Sequence, residues 1–346
     1  MMIASRCIYC KSPLTGRVPR EHVIPYAFTH GFRGTNLCIR CVCSTCNHYF
    51  SRELEPALVK DSFLGLLRYL YGTKKDTRRG PLPPRSRFDL RYKGQALDVQ
   101  PAPDGVGYQL KVVTQVGFPV PVRGGSYRYF RLDEIEAAIS DASLDRSQAE
   151  IVESGPGALE QALATVARFG IQLKRFSRRA PVVLSPDLPQ IEVHELQDAL
   201  VKRCMAKIAF NYLAYVVQSK CHGRAEWIMS SAFDPVRHFV LGETQNSEPR
   251  FAKATVHRGK KGPFHTMALQ WKRHEKDIVA TIELFSWLCL QVWLVEDFEG
   301  VVWNITAGHC WDVRQRQVRE MQAVRESLVP FHRPGGSTWT MQGPRE

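Results

Sequence analysis

Six of the ten cysteines in this 346-residue chain lie within its first 46 residues, grouped in pairs with two residues between the partners. The three pairs are Cys7 with Cys10, Cys38 with Cys41, and Cys43 with Cys46. In a chain without a secretion signal, clustered C-x2-C pairs are typical of metal ligands and not of disulfides. Two such pairs about 32 residues apart can supply the four thiolates of a closed structural Zn2+ site.

Other side chains able to do chemistry lie between these pairs and directly after them. Glu21 precedes His22 at the end of an extended stretch, and Asn47 follows Cys46 at the predicted start of a helix. Carboxylate and amide oxygens are hard ligands suited to Mg2+ or Mn2+, and a neighbouring imidazole can take a proton from water. These residue types are therefore suited to hydrolysis assisted by a divalent cation.

The order of these residues resembles that of the HNH endonucleases, members of the ββα-metal (His-metal finger) superfamily, in the subtype with a four-cysteine zinc site. The shared pattern is C-x2-C, then an acidic residue and His followed by Val-x-Pro, then a central Asn, and finally C-x2-C-N. It occupies residues 7–55, under a fifth of the chain. The resemblance implies a small zinc-bound ββα-metal domain that cleaves phosphodiester bonds.

The resemblance also assigns a role to each matching residue. His22 corresponds to the general base that activates water, and Asn36 to the middle residue of the motif, which orients that histidine. Glu21 and Asn47 correspond to the ligands of the catalytic Mg2+ or Mn2+. The structural Zn2+ would be held by Cys7, Cys10, Cys43 and Cys46.

Two departures from the family pattern leave alternatives open. Cys38 and Cys41 form an additional pair, so the zinc ligands could instead be Cys7, Cys10, Cys38 and Cys41. The cysteines that directly precede Asn47 fit the family better. The interval from Asn36 to Asn47 is also about two residues longer than expected for the family, which weakens the assignment of Asn36 more than that of Asn47.

The chain is basic, and its positive charge is concentrated near the N-terminus. It carries 47 Lys+Arg against 34 Asp+Glu, a net charge of +13, and residues 1–80 hold 13 of these basic residues but 5 acidic ones. A concentrated basic surface suits a phosphate backbone, although a general solubility charge would look similar. We expect DNA as the partner, with RNA not excluded, and contacts to phosphates from Arg17, Arg20, Arg33, Arg40 and Arg52.

The pattern along the chain predicts an α+β protein with two domains. Residues 1–73 form the predicted nuclease domain, and 74–87 form a basic linker rich in Pro and Gly. Residues 88–346 form a larger α+β domain that begins with alternating strands and contains its strongest predicted helix at 195–217. No apolar run is long enough to span a membrane and no signal peptide is seen, so we expect a soluble, cytoplasmic protein.

The role of residues 88–346 is not indicated by any motif. By analogy with bacterial chains that place an HNH module before a sensor, this part would respond to an activating ligand or protein in antiphage defence. A DNA-targeting domain, as in a restriction enzyme, is the rival interpretation. The alternative for the N-terminal part is a non-catalytic zinc module that binds nucleic acid or a partner protein.

Overall fold

The structure is a computed structural model of the whole chain. The residues that it describes are 5–32, 37–71, 88–101, 108–120, 127–141, 143–153, 158–183, 191–195, 198–220, 225–243, 248–256, 263–299, 305–321, 328–330 and 338–340. The predicted linker at 74–87 lies outside them. The fold is α+β, as expected. A small N-terminal region contains a cysteine cluster that could hold zinc, and a larger part rich in strands follows it.

The chain divides into two compact units. The first unit comprises residues 1–84 and 197–335, and the second comprises 85–196 and 336–346. This grouping differs from the expected division, in which residues 1–73 stood apart from one domain at 88–346. The N-terminal residues instead pack with residues from the later part of the chain, for reasons given below.

Short elements make up the N-terminal segment of the first unit. In chain order they are β1 (Glu21–His22), α1 (Tyr26–Thr29), β2 (Cys38–Ile39), α2 (Ser44–Tyr49), a π-helical segment (Phe50–Leu54), α3 (Glu55–Val59) and α4 (Phe63–Leu70). Strands β1 and β2 are antiparallel, with Glu21 opposite Ile39 and His22 opposite Cys38. The short α1 lies between the two strands in the chain, and α2 follows the second strand. We refer to β1, β2 and α2 together as the ββα element.

Local sequence explains where these helices begin and end. Helix α2 starts at Ser44, three residues before the predicted start, because the Cys43 sulfur caps it by accepting a hydrogen bond from the Cys46 amide. The helical path continues from the π-helical segment into α3, which carries Pro56 in its first turn. Helix α4 begins after Ser62, whose hydroxyl accepts a hydrogen bond from the Gly65 amide.

The second unit is built from strands with two short helices. The elements in its first segment, residues 85–196, are β3 (Phe88–Tyr92), β4 (Gln95–Pro101), β5 (Tyr108–Val112), β6 (Gln115–Pro119), β7 (Tyr127–Arg131), α5 (Ile135–Ile139), β8 (Ala149–Glu153), α6 (Ala158–Arg168), β9 (Leu173–Arg178), β10 (Val182–Val183) and β11 (Ile191–Glu195). The alternating strands predicted at the start of 88–346 correspond to the first five of these strands.

The remaining elements follow in chain order. They are α7 (Ala199–Lys220), α8 (Asp234–Leu241), β12 (Phe251–Val256), β13 (Phe264–Lys272), β14 (Asp277–Leu284), β15 (Leu288–Val295), β16 (Ala307–Asp312), β17 (Gln317–Glu320), β18 (Leu328–Pro330) and β19 (Thr338–Thr340). All but β19 belong to the first unit. Short 3-10 turns at 132–134, 225–229 and 231–233 complete the described structure.

Three larger sheets organise the two units. In the first unit, seven strands pair in the order β17-β16-β13-β14-β15-β12-β18. In the second unit, one sheet has the order β10-β5-β4-β3-β11-β19 and another the order β7-β6-β8-β9. The four-stranded sheet encloses an apolar core with α5 and α6, in which Val116, Phe118 and Ile151 are buried.

Helix α7 is the central element of the first unit. Every residue from Cys204 to Ala214 is buried, so all faces of its middle three turns are covered. The N-terminal segment covers one of these faces. The centroid of the Tyr9 ring lies 4.7 Å from that of Phe50 and 5.5 Å from that of Phe210 on α7. The N-terminal segment therefore completes the core around α7.

Polar contacts join the same parts of the first unit. The guanidinium of Arg237 on α8 is 1% exposed and donates a 2.6 Å hydrogen bond to the carbonyl of Ile8. Buried His265 on β13 has its Nε2 3.3 Å from the carbonyl oxygen of Phe28. A segment of about 70 residues made of such short elements has little core of its own, and this explains why it packs against 197–335.

No helix in the described part of the chain is both long and apolar enough to cross a membrane.

Candidate metal centre and catalytic site

Four cysteine sulfurs of the N-terminal segment lie close together. The Sγ atoms of Cys7, Cys10, Cys43 and Cys46 all lie within 4.8 Å of one another. Four thiolates bound tetrahedrally to Zn2+ at 2.3 Å would be separated by about 3.8 Å, and the Cys10 and Cys43 sulfurs already lie 3.6 Å apart. The cluster can therefore hold a metal ion such as zinc.

Backbone amides around the cluster support negative charge on sulfur. The amide of Cys43 donates to the Cys7 sulfur at 3.4 Å, and the amide of Cys46 donates to the Cys43 sulfur at 3.4 Å. A hydrogen bond from the Cys46 thiol, together with those from the backbone, lowers the pKa of Cys7 to about 5 although burial opposes this. The same bond raises the pKa of the Cys46 thiol, and burial raises that of Cys43. These thiols therefore become the thiolates that ligate a metal when a cation is bound to the cluster.

Cys38 and Cys41 lie outside the four-sulfur cluster. The Cys41 side chain is fully buried, and the Cys38 sulfur lies 3.3 Å from Nδ1 of His22. Of the two ligand sets left open by the sequence, the structure therefore brings together the one that ends in Cys43 and Cys46.

Replacing Cys38 by alanine is expected to leave one zinc ion per chain, because its sulfur contacts an imidazole and not the cluster. Elemental analysis of the purified variant, beside Cys43→Ala as the matched change, measures this directly. Zinc lost in Cys38→Ala but retained in Cys43→Ala would show that the other set of ligands is correct.

Glu21 and Asn47 approach each other across the ββα element. Glu21 lies on β1 and is 4% exposed, while Asn47 lies on the first turns of α2, directly after the last cysteine. The Asn47 amide donates from Nδ2 to Oε2 of Glu21 at 2.6 Å. The two side chains that the resemblance assigns to the catalytic metal are therefore adjacent.

His22 is positioned next to this pair. Its ring is partly exposed, and its Nδ1 contacts the Cys38 sulfur on the neighbouring strand. When Nδ1 carries the proton and donates to sulfur, Nε2 keeps the lone pair that a general base needs. Burial and the positive charge of Lys207 lower the pKa of His22, so its neutral, proton-accepting form is favoured at neutral pH.

Helix α7 supplies further contacts to this site that the sequence did not indicate. The Nδ2 atom of Asn211 donates to Oε1 of Glu21 and to the main-chain carbonyl of His22, each at 3.0 Å. Its Oδ1 accepts a 2.7 Å hydrogen bond from the Tyr9 hydroxyl. Asn211 therefore fixes both residues of β1 that carry the candidate chemistry.

Lys207, one turn before Asn211, forms ion pairs with two acidic side chains. Its ammonium contacts Oε1 of Glu21 and lies 2.7 Å from Oε1 of Glu55. The lysine side chain has no exposed surface. Burial alone would lower the pKa of Lys207, but attraction to Glu21 and Glu55 outweighs it and raises the pKa above its ordinary value. The amine therefore remains charged.

The arginines expected to contact phosphates are placed as follows. Arg17, Arg20, Arg40 and Arg52 are all exposed. Arg20 lies close enough to His22 for its charge to contribute to the lowered pKa of the imidazole. Arg33 and Asn36 lie outside the described residues.

The donor set at β1 and α2 fits a hard divalent cation. A carboxylate oxygen and a side-chain amide lie side by side, and rotation of the Asn47 amide would turn its oxygen toward Glu21 Oε2. Oxygen Oε1 of the same carboxylate is already engaged by Lys207 and Asn211. A divalent ion would thus be held by Glu21 and Asn47, with Lys207 as a near neighbour.

Comparison of the chain with protein-family profiles, with curated proteins and with solved structures gives no match.

Proposed function

We propose that this protein is a metal-dependent endonuclease of the HNH type that hydrolyses phosphodiester bonds in DNA, with a structural Zn2+ at its four-cysteine cluster. The observation that carries the proposal is the convergence of Glu21, His22 and Asn47 on a ββα element beside that cluster. An isolated acidic residue next to a histidine would carry no such meaning.

Each residue has a defined part in the proposed reaction. The imidazole of His22 accepts the proton of the attacking water, with the Cys38 sulfur orienting its ring. Glu21 and Asn47 would hold Mg2+ or Mn2+, which would supply charge stabilisation to the phosphate and the leaving oxygen. Exposed Arg20 and Arg40 favour approach of the anionic backbone. A role in antiphage defence or restriction extends the proposal by analogy of chain layout alone.

The contacts of Glu21 favour a second candidate function, a non-catalytic zinc module that docks nucleic acid or a partner protein. The ion pair with Lys207 and the amide donors already satisfy the buried Glu21 carboxylate without any metal. In this case Glu21 would serve the packing of β1 on α7, and its replacement would affect stability alone.

Replacing Glu21 by glutamine separates the two candidates. The endonuclease proposal predicts that Mg2+- or Mn2+-dependent nicking of supercoiled plasmid falls by about 100-fold or more, since the amide cannot supply the charge that holds the cation. Lys207 keeps its ion pair with Glu55 in this variant, so the fold is expected to survive.

Glu53→Gln is the matched control, because Glu53 is exposed on the π-helical segment that follows α2. It should nick plasmid at the wild-type rate, and EDTA should stop both proteins. Equal nicking by wild type and Glu21→Gln would contradict the proposal, and so would the absence of any metal-dependent nicking by folded, zinc-loaded wild type.

A further inference from the structure

Lys207 is a buried charge that the proposed reaction does not use. It lies in the middle of α7, its side chain has no exposed surface, and its ammonium faces the N-terminal segment. Three acceptors surround the Nζ atom: the carboxylates of Glu21 and Glu55 and, at 3.4 Å, the carbonyl of His22. Two of these acceptors belong to the residues that carry the candidate chemistry.

Packing does not require a charge at this position. Neighbouring α7 side chains such as Met205, Ile208 and Phe210 are apolar and fully buried, and apolar side chains in place of a whole buried ion pair often cost no stability. Lys207 also lies over the ring of Phe50 at 5.5 Å, a surface that an apolar side chain would cover equally well. The charge itself is therefore the property that needs an explanation.

An ammonium ion and a divalent cation compete for the same carboxylate. Oε1 of Glu21 accepts from both Lys207 and Asn211, which leaves Oε2, beside Asn47, as the oxygen available to a metal. A divalent ion on Oε2 would share the carboxylate charge with Lys207 and would be repelled by it, with little screening in a buried site.

We propose that Lys207 is an internal cation that competes with the divalent metal for Glu21, so that α7 sets the metal affinity of the candidate centre. The inference rests on the metal site of the proposed function. It goes further because it gives residues 197–335 a role in that site: any ligand or partner that shifts α7 away from β1 would raise metal affinity.

Mn2+ binding to the zinc-loaded full chain tests this inference without reference to cleavage. Isothermal titration with MnCl2 should show that Lys207→Met binds Mn2+ about tenfold or more tightly than wild type, a coupling of the usual size between two sites. Lys202→Met is the matched control, since Lys202 lies on the same helix in a partly exposed ion pair with Glu248. It should bind Mn2+ as wild type does.

A second variant and a second readout protect the test against a folding defect. Lys207→Gln keeps a hydrogen-bond donor without the charge, and it should also bind Mn2+ more tightly. In both variants the melting temperature should rise with Mn2+ more steeply than in wild type, because the cation then compensates Glu21. Adding Glu21→Gln to Lys207→Gln should remove the gain.

Unchanged or weaker Mn2+ affinity in both Lys207 variants would overturn the inference, even if the wild type cleaves DNA. Tighter Mn2+ binding that depends on Glu21 would support it, even if no variant cleaves DNA. The two proposals can therefore fail separately.

Discussion

Replacing His22 by alanine is expected to abolish metal-dependent DNA cleavage while leaving the protein folded and zinc-bound. Removal of a general base typically slows a reaction by about 10²–10⁴-fold. The fold should survive because the contacts of His22 with α7 are made by its main-chain carbonyl, which accepts from Asn211 and Lys207 and is unchanged in alanine. Supercoiled-plasmid nicking and elemental zinc analysis measure the two effects.

His48→Ala is the control for this variant, because His48 is an exposed histidine one residue after Asn47. It should retain activity, and free imidazole should restore part of the activity of His22→Ala if the missing group is a proton acceptor. Full activity in His22→Ala would contradict the assignment of the base. Loss of activity in His48→Ala would mean that His48, on α2, is the base or a ligand of the metal.

The parts of the site that sequence could predict are those set by local chemistry. A C-x2-C pair places two sulfurs on one turn, and Cys46 is followed directly by Asn47 on the same helix. Strands β1 and β2 pair over two residues each, Glu21 with Ile39 and His22 with Cys38, so the rest of the ββα element also lies within this short segment. The α+β fold class and the strands at the start of 88–346 could be predicted because the alternation of apolar residues is also a local pattern.

The parts that sequence could not predict depend on contacts between distant residues. Lys207 and Asn211 lie about 190 positions after Glu21, and no local pattern connects them with it. Periodicity predicted α7 as a helix with an apolar face, whereas the structure buries all of its middle turns. A lysine and an asparagine in such a helix signal buried polar partners, although the signal does not say which ones.

The division into two units could not be predicted either, because it also depends on contacts between distant residues. A basic linker rich in Pro and Gly indicates a domain boundary. It does not indicate that a later segment, residues 197–335, packs against the N-terminal segment. The residues inside the first C-x2-C knuckle, Ile8 and Tyr9, are apolar and buried. Apolar side chains between metal ligands would be exposed on an isolated knuckle, and this was the available sign that another surface covers them.

Loss of the four-cysteine cluster is expected to have the largest effect on stability. Cys46→Ala should release zinc and unfold the N-terminal segment, since its strands β1 and β2 contribute two residues each. Structural Zn2+ sites contribute about 10–16 kcal/mol in small zinc modules at neutral pH, as much as the whole stability of a typical domain, about 5–15 kcal/mol. Thermal denaturation and limited proteolysis of the variant measure the loss.

Cys310→Ala provides the comparison, because Cys310 is a buried cysteine on β16 and is not part of the cluster. Its truncation should lower the free energy of unfolding by about 1–2 kcal/mol, the usual effect of a small core change. If Cys46→Ala melts at the temperature of Cys310→Ala and resists proteolysis equally, the cluster has no structural role.

The effect of zinc loss should extend into α7. Without a folded β1 and α3, Lys207 would lose Glu21 and Glu55 and remain unpaired in the core. Such a loss typically costs about 3–5 kcal/mol. Amide hydrogen exchange should therefore show that residues 204–214, protected in the zinc-bound protein, lose protection when a chelator removes the metal. Continued protection of α7 would mean that the sheet of the first unit stabilises this helix by itself. The N-terminal segment would then depend on α7 without stabilising it in return.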